Sequence, residues 1–311
     1  MHAPEATPDR DAAAPARHLR GFSCIVLAHD NVPQLLALAG WLVGRGARVL
    51  VHMDRRAAQV RADFAAGMPP GCLLLPVSRS HRVLWGGFGM VAATLSLLRE
   101  AVDDPALRHV ALLSGSHLPI QPAERVARFL FDGREHMDLG FAAAEPVDGK
   151  SLRRFWYRSL PGREEGSALL RWANRNAWRL GKRDLARGLR GMTPMCGAQW
   201  WSFSAECARH VLRFVDENPW YSDFFRHASI PDETFFHTIL GASPYARRLG
   251  PIPLYQRMSG FSPAVLRASD LPEAVASGLP FARKFDTRVD AEAVELALSA
   301  AGTLGDPALS A

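Results

Sequence analysis

The stretch FSCIVLAHDNVPQLLALAGWLVGRGARVLVHMD, residues 22–54, decides the fold class. Residues 22–28 (FSCIVLA) are a continuous apolar run, which is typical of a strand buried on both faces. A helix is predicted over residues 33–44, and residues 49–54 (VLVHMD) are predicted as a second buried strand. Strand, helix and strand in this short length form a βαβ unit, so the sheet is predicted to begin parallel.

Polar residues follow both strands. His29, Asp30 and Asn31 come after the first, and Asp54 closes the second. Ligands of open α/β sheets bind at the carboxyl ends of the strands, and all four residues fall at those ends. No Gly-x-Gly-x-x-Gly lies between strand and helix, so the usual dinucleotide phosphate loop is missing from the sequence.

The later sequence continues the α/β pattern. Residues 72–77 and 110–113 are predicted strands, and residues 90–102 are a predicted helix. The predicted fold class is α/β, with a mostly parallel central sheet flanked by helices in a single domain over residues 21–290. Residues 1–20 are predicted to be a disordered tail, and residues 291–311 a C-terminal helix and tail.

A tight turn is predicted at Trp85-Gly86-Gly87. Glycine lets a backbone come close to a ligand, and Trp85 beside it would offer a stacking surface, so Trp85 and Gly86 are candidate contacts to a bound ligand. A plain helix start explains the same residues equally well.

Composition restricts the class of ligand. The chain has 311 residues, a formal net charge of +6 and four cysteines that form no Cys-x-x-Cys pair. The charge suits an anionic ligand such as a nucleotide diphosphate, but a nucleic acid or an anionic membrane surface would suit it too. A disulfide framework or zinc site is not expected. No signal peptide or membrane span is predicted, which indicates a cytoplasmic protein and leaves peripheral membrane contact open.

Residues 138–190 are rich in Arg and Trp. Basic residues interleaved with aromatic ones can bind a nucleic acid strand by stacking and phosphate contact. An amphipathic, solvated connection is the favoured interpretation, because nothing in this stretch matches a nucleic-acid-binding module. Nucleic acid is therefore not expected as a partner.

The stretch SIPDETFFHTIL, residues 229–240, supplies the candidate catalytic residue. Ser229 and Asp232 can both cap a helix, and the four apolar residues Phe235, Phe236, Ile239 and Leu240 would share its buried face. Glu233 would then sit in the first turn, where free amides and the helix dipole favour the ionised form. A fixed carboxylate of this kind can act as a general base. Ordinary acidic decoration of a helix start is the alternative.

The α/β strands, the polar strand ends and Glu233 together suggest a nucleotide-dependent transferase. Sugar transfer from a nucleoside diphosphate sugar needs a base for the acceptor hydroxyl and positive charge against the departing diphosphate. Many such enzymes hold a divalent metal on Asp-x-Asp at a strand end, but the only such tripeptide here is Asp9-Arg10-Asp11, in the predicted tail. Fixed cations would then replace the metal, and the candidates are Lys284, Arg283 and Arg257. A surface basic pair is the alternative for Arg283 and Lys284.

Seven motifs, in this order, carry a family resemblance: His29, VHMD (51–54), LWGGFGMV (84–91), LLSGSHLPI (112–120), GAQWWSFS (197–204), IPDETFFHTIL (230–240) and FARKFD (281–286). Together they resemble the core-2/I-branching β-1,6-N-acetylglucosaminyltransferase family, which includes the peptide O-xylosyltransferases. The resemblance extends over about residues 22–290. One departure is His117, where the family commonly has Asp.

The resemblance implies a GT-A-like fold and an inverting, metal-independent transfer of GlcNAc or xylose from a UDP-sugar. It implies that Glu233 is the general base, that Lys284 binds the diphosphate and that His29 and Asp54 contact the nucleoside, with no cofactor and no bound metal. The acceptor would be a glycan, glycolipid or peptide. Its expected contacts are Asp232, Glu145, Arg154, Trp156 and Trp200. An inactive relative that binds sugar nucleotides or glycans, or a nucleic-acid-binding protein, are the alternatives.

Overall fold

The computed structural model describes residues 18–142, 151–159, 168–260 and 262–302. Its strands are β1 (Phe22–Ala28), β2 (Arg48–Met53), β3 (Cys72–Leu74), β4 (His109–Ser114), β5 (Leu118–Pro119), β6 (Glu135–Met137), β7 (Gly140–Phe141), β8 (Met195–Cys196), β9 (Trp201–Ser204), β10 (Leu249–Gly250), β11 (Leu254–Gln256), β12 (Met258–Ser259), β13 (Ser262–Pro263) and β14 (Phe281–Arg283).

The α-helices are α1 (Val32–Gly44), α2 (Ala58–Gly67), α3 (Gly89–Val102), α4 (Ala123–Leu130), α5 (Arg153–Trp156), α6 (Ala168–Asn176), α7 (Leu185–Gly188), α8 (Ala205–Glu217), α9 (Pro219–Phe225), α10 (Phe235–Gly241), α11 (Leu271–Ala276) and α12 (Ala291–Ala300). Short 3-10 turns cover Val77–Arg79, Ala177–Leu180, Pro231–Glu233, Pro244–Arg248 and Ala268–Asp270.

The central sheet has seven strands in the order β10-β6-β9-β4-β1-β2-β3. The pairings β1–β2, β1–β4, β2–β3 and β10–β6 are parallel, whereas β9 runs antiparallel to β4 and β6. The predicted α/β architecture with a mostly parallel sheet is therefore confirmed. Because the chain goes from β1 to β2 on one side and returns to β4 on the other, the order reverses at β1. Such a reversal opens a crevice at the carboxyl ends of the two strands.

Strand β1 lies at the centre of the hydrophobic core. All seven residues of β1 are buried, as the apolar run predicted. Helix α1 packs Leu35, Leu38 and Leu42 into the same core, and the Trp41 indole N–H donates to the Ala301 carbonyl oxygen at 3.1 Å. The structured body begins earlier than the predicted tail boundary at residue 20, because Leu19 is fully buried and its N–H donates to the Arg45 carbonyl oxygen. Residues 1–17 and 303–311 lie outside the described residues.

A small second sheet, in the order β11-β14-β5, brings the end of the chain to the crevice. Strand β14 runs antiparallel to β5, which begins four residues after β4 ends. The Phe285 N–H donates to the Ser116 carbonyl oxygen at 2.9 Å. The buried Gln34 amide donates to the carbonyl oxygens of Gly115 and Phe285 at 2.8 and 3.2 Å. The FARKFD segment is thereby fixed beside the ends of β1 and β4.

The helix predicted around Glu233 forms differently. Residues Pro231–Glu233 make a 3-10 turn, and α10 begins only at Phe235. Neither element has a side-chain N-cap, so the predicted capping by Ser229 and Asp232 is wrong. Helix α10 is also buried on every side rather than on one, since all six residues from Phe235 to Leu240 are buried. In the described residues, no helix combines the length and hydrophobicity that a bilayer span requires.

Candidate active site

A strained turn presents the predicted base. Ile230 has φ 50°, in the left-handed region that a β-branched residue rarely adopts. Its N–H donates to the Gly86 carbonyl oxygen at 3.0 Å, which holds this conformation in place. Strain of this kind costs on the order of 1–3 kcal/mol and clusters at functional sites. The residues that directly follow it are Pro231, Asp232 and Glu233.

Glu233 is paired with Arg154. Its Oε2 accepts a hydrogen bond from Arg154 Nη1 at 2.5 Å, and the side chains are 30% and 16% exposed, respectively. The two backbones are also linked, because the Ser229 N–H donates to the Arg154 carbonyl oxygen at 3.1 Å. Arg154 was expected to contact the acceptor, and that role stays a prediction. The structure shows that Arg154 binds one carboxylate oxygen of Glu233. No local sequence pattern indicates this pair, because the partners lie 79 positions apart.

The backbone at Gly197 supports the turn from behind. The Gly197 N–H donates to the Glu233 carbonyl oxygen at 3.1 Å, and the Ala198 N–H donates to Asp138 Oδ2 at 3.0 Å. A Cβ at position 197 would lie 1.8 Å from the Asp138 carbonyl oxygen, so only glycine fits there. Gly197 and Asp138 are thus positioning residues that sequence reasoning missed.

Asp232 is a buried carboxylate beside the base. It is 8% exposed, and its Oδ1 has no hydrogen-bond partner in the described residues. Burial, reinforced by the neighbouring charge of Glu233, raises the pKa of Asp232 to about 7. It was expected to contact the acceptor, and that role stays a prediction. Its burial restricts any such contact to the one small face that reaches solvent.

Arg283 reaches the same site from strand β14. Its guanidinium carbon lies 4.6 Å from the centre of the Trp200 ring, and Trp200 packs edge-on against His117 at 4.4 Å. Burial lowers the pKa of Arg283 to about 10, while the negative charge of Glu233 acts in the opposite direction. The cation and the candidate base therefore belong to one electrostatic site. Trp200 is 5% exposed and mainly supports Arg283, and its role as an acceptor contact stays a prediction.

His117, which replaces the family's Asp, is fully buried in this stack. Its Nδ1 accepts from the Ser114 N–H at 3.0 Å, which leaves the ring hydrogen on Nε2. Burial, with the charge of Arg283 as a second cause, holds the pKa of His117 well below its usual range. A neutral ring can lie beside Trp200 and Arg283 without adding a second positive charge.

Lys284 and Arg257 each follow the end of one of two paired strands. Strands β11 and β14 are parallel with Gln256 opposite Arg283, and Arg257 and Lys284 each follow directly. Lys284 is exposed, as expected of a residue that binds a ligand. Arg257 is half exposed and forms a hydrogen-bonded ion pair with the buried Asp270. A diphosphate bound by Arg257 would have to share the Arg257 guanidinium with the Asp270 carboxylate.

The strand-end candidates differ in availability. His29 is open to solvent, with its side chain 76% exposed. Asp54 is buried, and its two oxygens accept from the backbone and guanidinium of Arg56 and from the Val83 N–H at 2.8–3.2 Å. Burial alone would raise the pKa of Asp54, but these hydrogen bonds outweigh it and lower that pKa. Asp54 therefore organises the loop after β2, and a nucleoside contact by it stays a prediction.

The remaining candidates surround the turn. Trp85 is 44% exposed, and Gly86 has φ +67° with its carbonyl bound to Ile230, so the Trp85-Gly86 turn borders the site. Trp156 ends the helix that carries Arg154 and has Lys182 Nζ 4.0 Å from its ring centre. Glu145 lies outside the described residues. Within the parts of the chain that are described, no group of three or more His, Cys, Asp or Glu residues could hold a metal ion.

Comparison with known families gives this geometry a context. A family model described as Core-2/I-Branching enzyme matches residues 48–249, about two thirds of the chain. The chain belongs to the core-2/I-branching enzyme family. Membership confirms the resemblance carried by the motifs and, with the observed sheet, the GT-A-like fold class. The matched range includes Asp54, Arg154 and Glu233 but ends before Arg257, Arg283 and Lys284.

Curated relatives of this core-2/I-branching protein are xylosyltransferases of low identity. Xylosyltransferase 1 of Rattus norvegicus is 23% identical over 266 residues, covering 78% of this chain and 31% of the relative. Xylosyltransferase sqv-6 of Caenorhabditis briggsae is 20% identical, covering 79% and 32%. Xylosyltransferase 2 of Rattus norvegicus is 25% identical, covering 68% and 26%. The chain thus spans about a third or less of the length of these relatives.

Two of the solved structures that match illustrate how low the scores are. One is 4-diphosphocytidyl-2C-methyl-D-erythritol synthase from Anaerococcus prevotii, with a TM-score of 0.39, 8% identity, and coverage of 84% of this chain and 97% of that one. The other is mouse xyloside xylosyltransferase 1, with a TM-score of 0.35, 10% identity and the same coverage. At these scores the family match, and not these structures, carries the assignment.

Proposed function

We propose that this chain is a glycosyltransferase that moves a sugar from a UDP-sugar to an acceptor hydroxyl with inversion at the anomeric carbon, and that Glu233 is its general base. One observation carries the proposal. Arg154 holds the carboxylate of Glu233 on a strained turn, and the guanidinium of Arg283, which lies over the Trp200 ring, reaches from β14 close enough for the charge of Glu233 to affect its pKa. Membership of the core-2/I-branching family and the xylosyltransferase relatives support the same activity.

The reaction is a single displacement. A bond forms between the acceptor oxygen and the anomeric carbon while the bond from that carbon to the β-phosphate oxygen breaks. The hydroxyl proton passes to Glu233, and UDP leaves with the bonding electron pair. Arg154 holds Oε2 of Glu233, so Oε1 is the oxygen that would accept the proton. One base acting in one step turns an α-linked donor into a β-linked product.

The departing UDP gathers negative charge, which fixed cations can stabilise without reorganisation. Lys284 is the exposed cation nearest in sequence to Arg283, and Arg257 lies on the neighbouring strand end. We assign the diphosphate to this group, with Arg283 closest to the base. The proposed transfer needs no metal, so excess EDTA should leave turnover unchanged. Loss of activity in EDTA with recovery on added manganese would overturn the metal-free assignment.

The donor is proposed to carry xylose or GlcNAc, because the relatives are xylosyltransferases and the family name denotes a branching enzyme. A glycan, glycolipid or peptide with a free hydroxyl would be the acceptor. A panel of UDP-sugars tested with glycoside and peptide acceptors, with UDP release as the readout, would identify the pair.

Glu233→Gln tests the base. It keeps the size of the side chain and removes its basicity, so turnover should fall at least about a hundredfold. UDP binding, measured by calorimetry, should stay near the wild-type affinity. Glu124→Gln is the matched control, because Glu124 is an exposed carboxylate that is also paired with an arginine, Arg128. A Glu233→Gln variant with near-normal turnover would remove Glu233 from the mechanism.

A further inference from the structure

One surface of the molecule has no part in the proposed reaction. In helix α6 and the 3-10 turn Ala177–Leu180, Leu170, Ala173 and Asn174 are partly buried and Ala177 is buried. Larger apolar side chains point the other way. Leu169, Trp172, Trp178 and Leu180 are 71%, 55%, 55% and 77% exposed. We call the exposed side chains of residues 169, 172, 175, 178, 179 and 180 the Arg/Trp surface.

Such a distribution inverts that of an ordinary surface helix, which buries its large apolar residues and exposes its small or polar ones. Four of the ten large hydrophobic residues that are exposed in the described chain fall within residues 169–180. Exposed apolar groups gathered in one short segment in this way are typical of a binding surface.

The charge of the molecule is concentrated in the same place. Residues 168–192 contain seven Arg and Lys residues and one acidic residue, Asp184, a net charge of +6. This equals the formal net charge of the whole chain, so all the other residues together are neutral. Arg175 and Arg179 are exposed and lie between the exposed tryptophans and leucines. The partner must therefore be both anionic and able to accept apolar side chains.

We infer that the Arg/Trp surface docks on an anionic phospholipid membrane. A helix with Trp and Leu interleaved with Arg lies in the interface of a bilayer, with its apolar groups among the acyl chains and its cations at the phosphates. A nucleic acid would match the cations and tryptophans, but Leu169 and Leu180 would neither stack on bases nor contact phosphates. A protein partner would need one fixed anion for each buried cation, whereas a lipid surface supplies anions without fixed geometry.

The surface is firmly attached to the candidate active site. The Arg183 N–H donates to the Trp156 carbonyl oxygen at 2.8 Å, and the Arg183 guanidinium lies 3.5 Å from the Phe224 ring centre. Trp156 lies in α5 with Arg154, the partner of Glu233. The segment that follows the Arg/Trp surface is thereby linked to helix α5, which carries the partner of Glu233.

Vesicle co-sedimentation of the full chain tests this inference. Vesicles of phosphatidylcholine with one third phosphatidylglycerol should bind the protein, vesicles of phosphatidylcholine alone should not, and added salt should weaken binding. Arg175→Glu with Arg179→Glu should reduce partitioning at least about tenfold, and so should Leu169→Ser with Trp172→Ser.

Matched controls change the same properties elsewhere. Arg125→Glu with Arg213→Glu makes the same change in net charge, and Val289→Ser with Leu296→Ser removes exposed apolar groups of another region. Both controls should bind vesicles like the wild type. Thermal unfolding and UDP binding show whether each variant is folded.

Four outcomes would overturn the inference. The first is a lack of binding to anionic vesicles, and the second is an equal loss of vesicle binding in the control variants. The third is tighter binding of single-stranded RNA that Arg175→Glu with Arg179→Glu abolishes, and the fourth is self-association that only Leu169→Ser with Trp172→Ser removes.

Discussion

Asp232→Asn should make the protein more stable above neutral pH and leave it unchanged or weaker in acid. Asp232 is nearly buried, its Oδ1 has no partner in the described residues, and Glu233 lies next to it. Burial and that neighbouring charge raise its pKa from 3.8 to about 7. The folded state thus keeps a proton that the unfolded state has already lost, and the contribution of this group to stability falls as pH rises from about 4 to about 7.

The magnitude follows from the shift. Each pKa unit corresponds to about 1.4 kcal/mol, so the rise from 3.8 to about 7 sets an upper bound of about 4 kcal/mol on the cost of ionised Asp232. Asparagine has no charge to bury, but its amide group needs a partner, which costs about 1–3 kcal/mol when none is found. The net gain at about pH 8 should therefore be about 1–3 kcal/mol. It should vanish or change sign near pH 5, where Asp232 is already neutral.

Urea unfolding of the wild type and Asp232→Asn, followed by circular dichroism at several pH values between about 5 and 8, measures this difference. Comparing the two proteins at each pH removes the contributions of the histidines, which they share. Asp223→Asn is the control, since Asp223 is 73% exposed and its variant should follow the wild-type profile. A difference between wild type and Asp232→Asn that stays constant with pH would refute the reasoning.

Four further predictions follow from the same structure. Arg154→Met should lower turnover at least about tenfold with little change in UDP affinity, because Arg154 orients Glu233; steady-state kinetics and calorimetry separate the two. Lys284→Ala should weaken UDP binding about tenfold, measured by calorimetry against Arg128→Ala as the control. Burial lowers the pKa of His109 to about 3, so its contribution to stability is lost as pH falls below about 6.5, and His109→Gln should flatten the loss of melting temperature in acid. Gly197→Ala should destabilise the fold by several kcal/mol or prevent folding, as judged by soluble yield and unfolding, because the added methyl group meets the Asp138 carbonyl.

The first half of the fold could be predicted because its signals are local. The apolar run of β1 needs burial on both faces, and only a central strand of a parallel sheet provides it. The βαβ unit then places His29 and Asn31 at the crevice without further information. The turn at Pro231–Glu233 could not be predicted in the same way, because Ile230 takes a left-handed conformation that its own side chain disfavours. A hydrogen bond to Gly86, far away in the sequence, is its visible support.

The site itself depends on contacts that no local pattern contains. The residue type of Glu233 suggested a base, but its pairing with Arg154 depends on how α5 folds onto the turn. The family resemblance implied an acceptor contact for Trp200, and the structure buries this residue beneath Arg283. Asp54 at a strand end suggested a ligand contact, yet Arg56 and Val83 already occupy both of its oxygens. In each case the residue type indicates a possible role, and the contacts of the side chain in the fold determine whether it is available for that role.

The way in which the end of the chain reaches the crevice bears on the proposed metal-free catalysis. A bound metal would arrive with the nucleotide, whereas Arg283 and Lys284 belong to or follow a strand that is already paired with β5 and with β11. The Phe285 N–H and carbonyl are bound at Ser116 and Gln34, so the segment is held from both sides before any ligand arrives. Cations positioned in this way need little reorganisation when charge develops on the leaving diphosphate. This advantage would be lost if the small sheet were only loosely attached to the large one. It is attached through β5, which begins four residues after the central strand β4 ends, so the cations and the crevice should behave as one rigid unit.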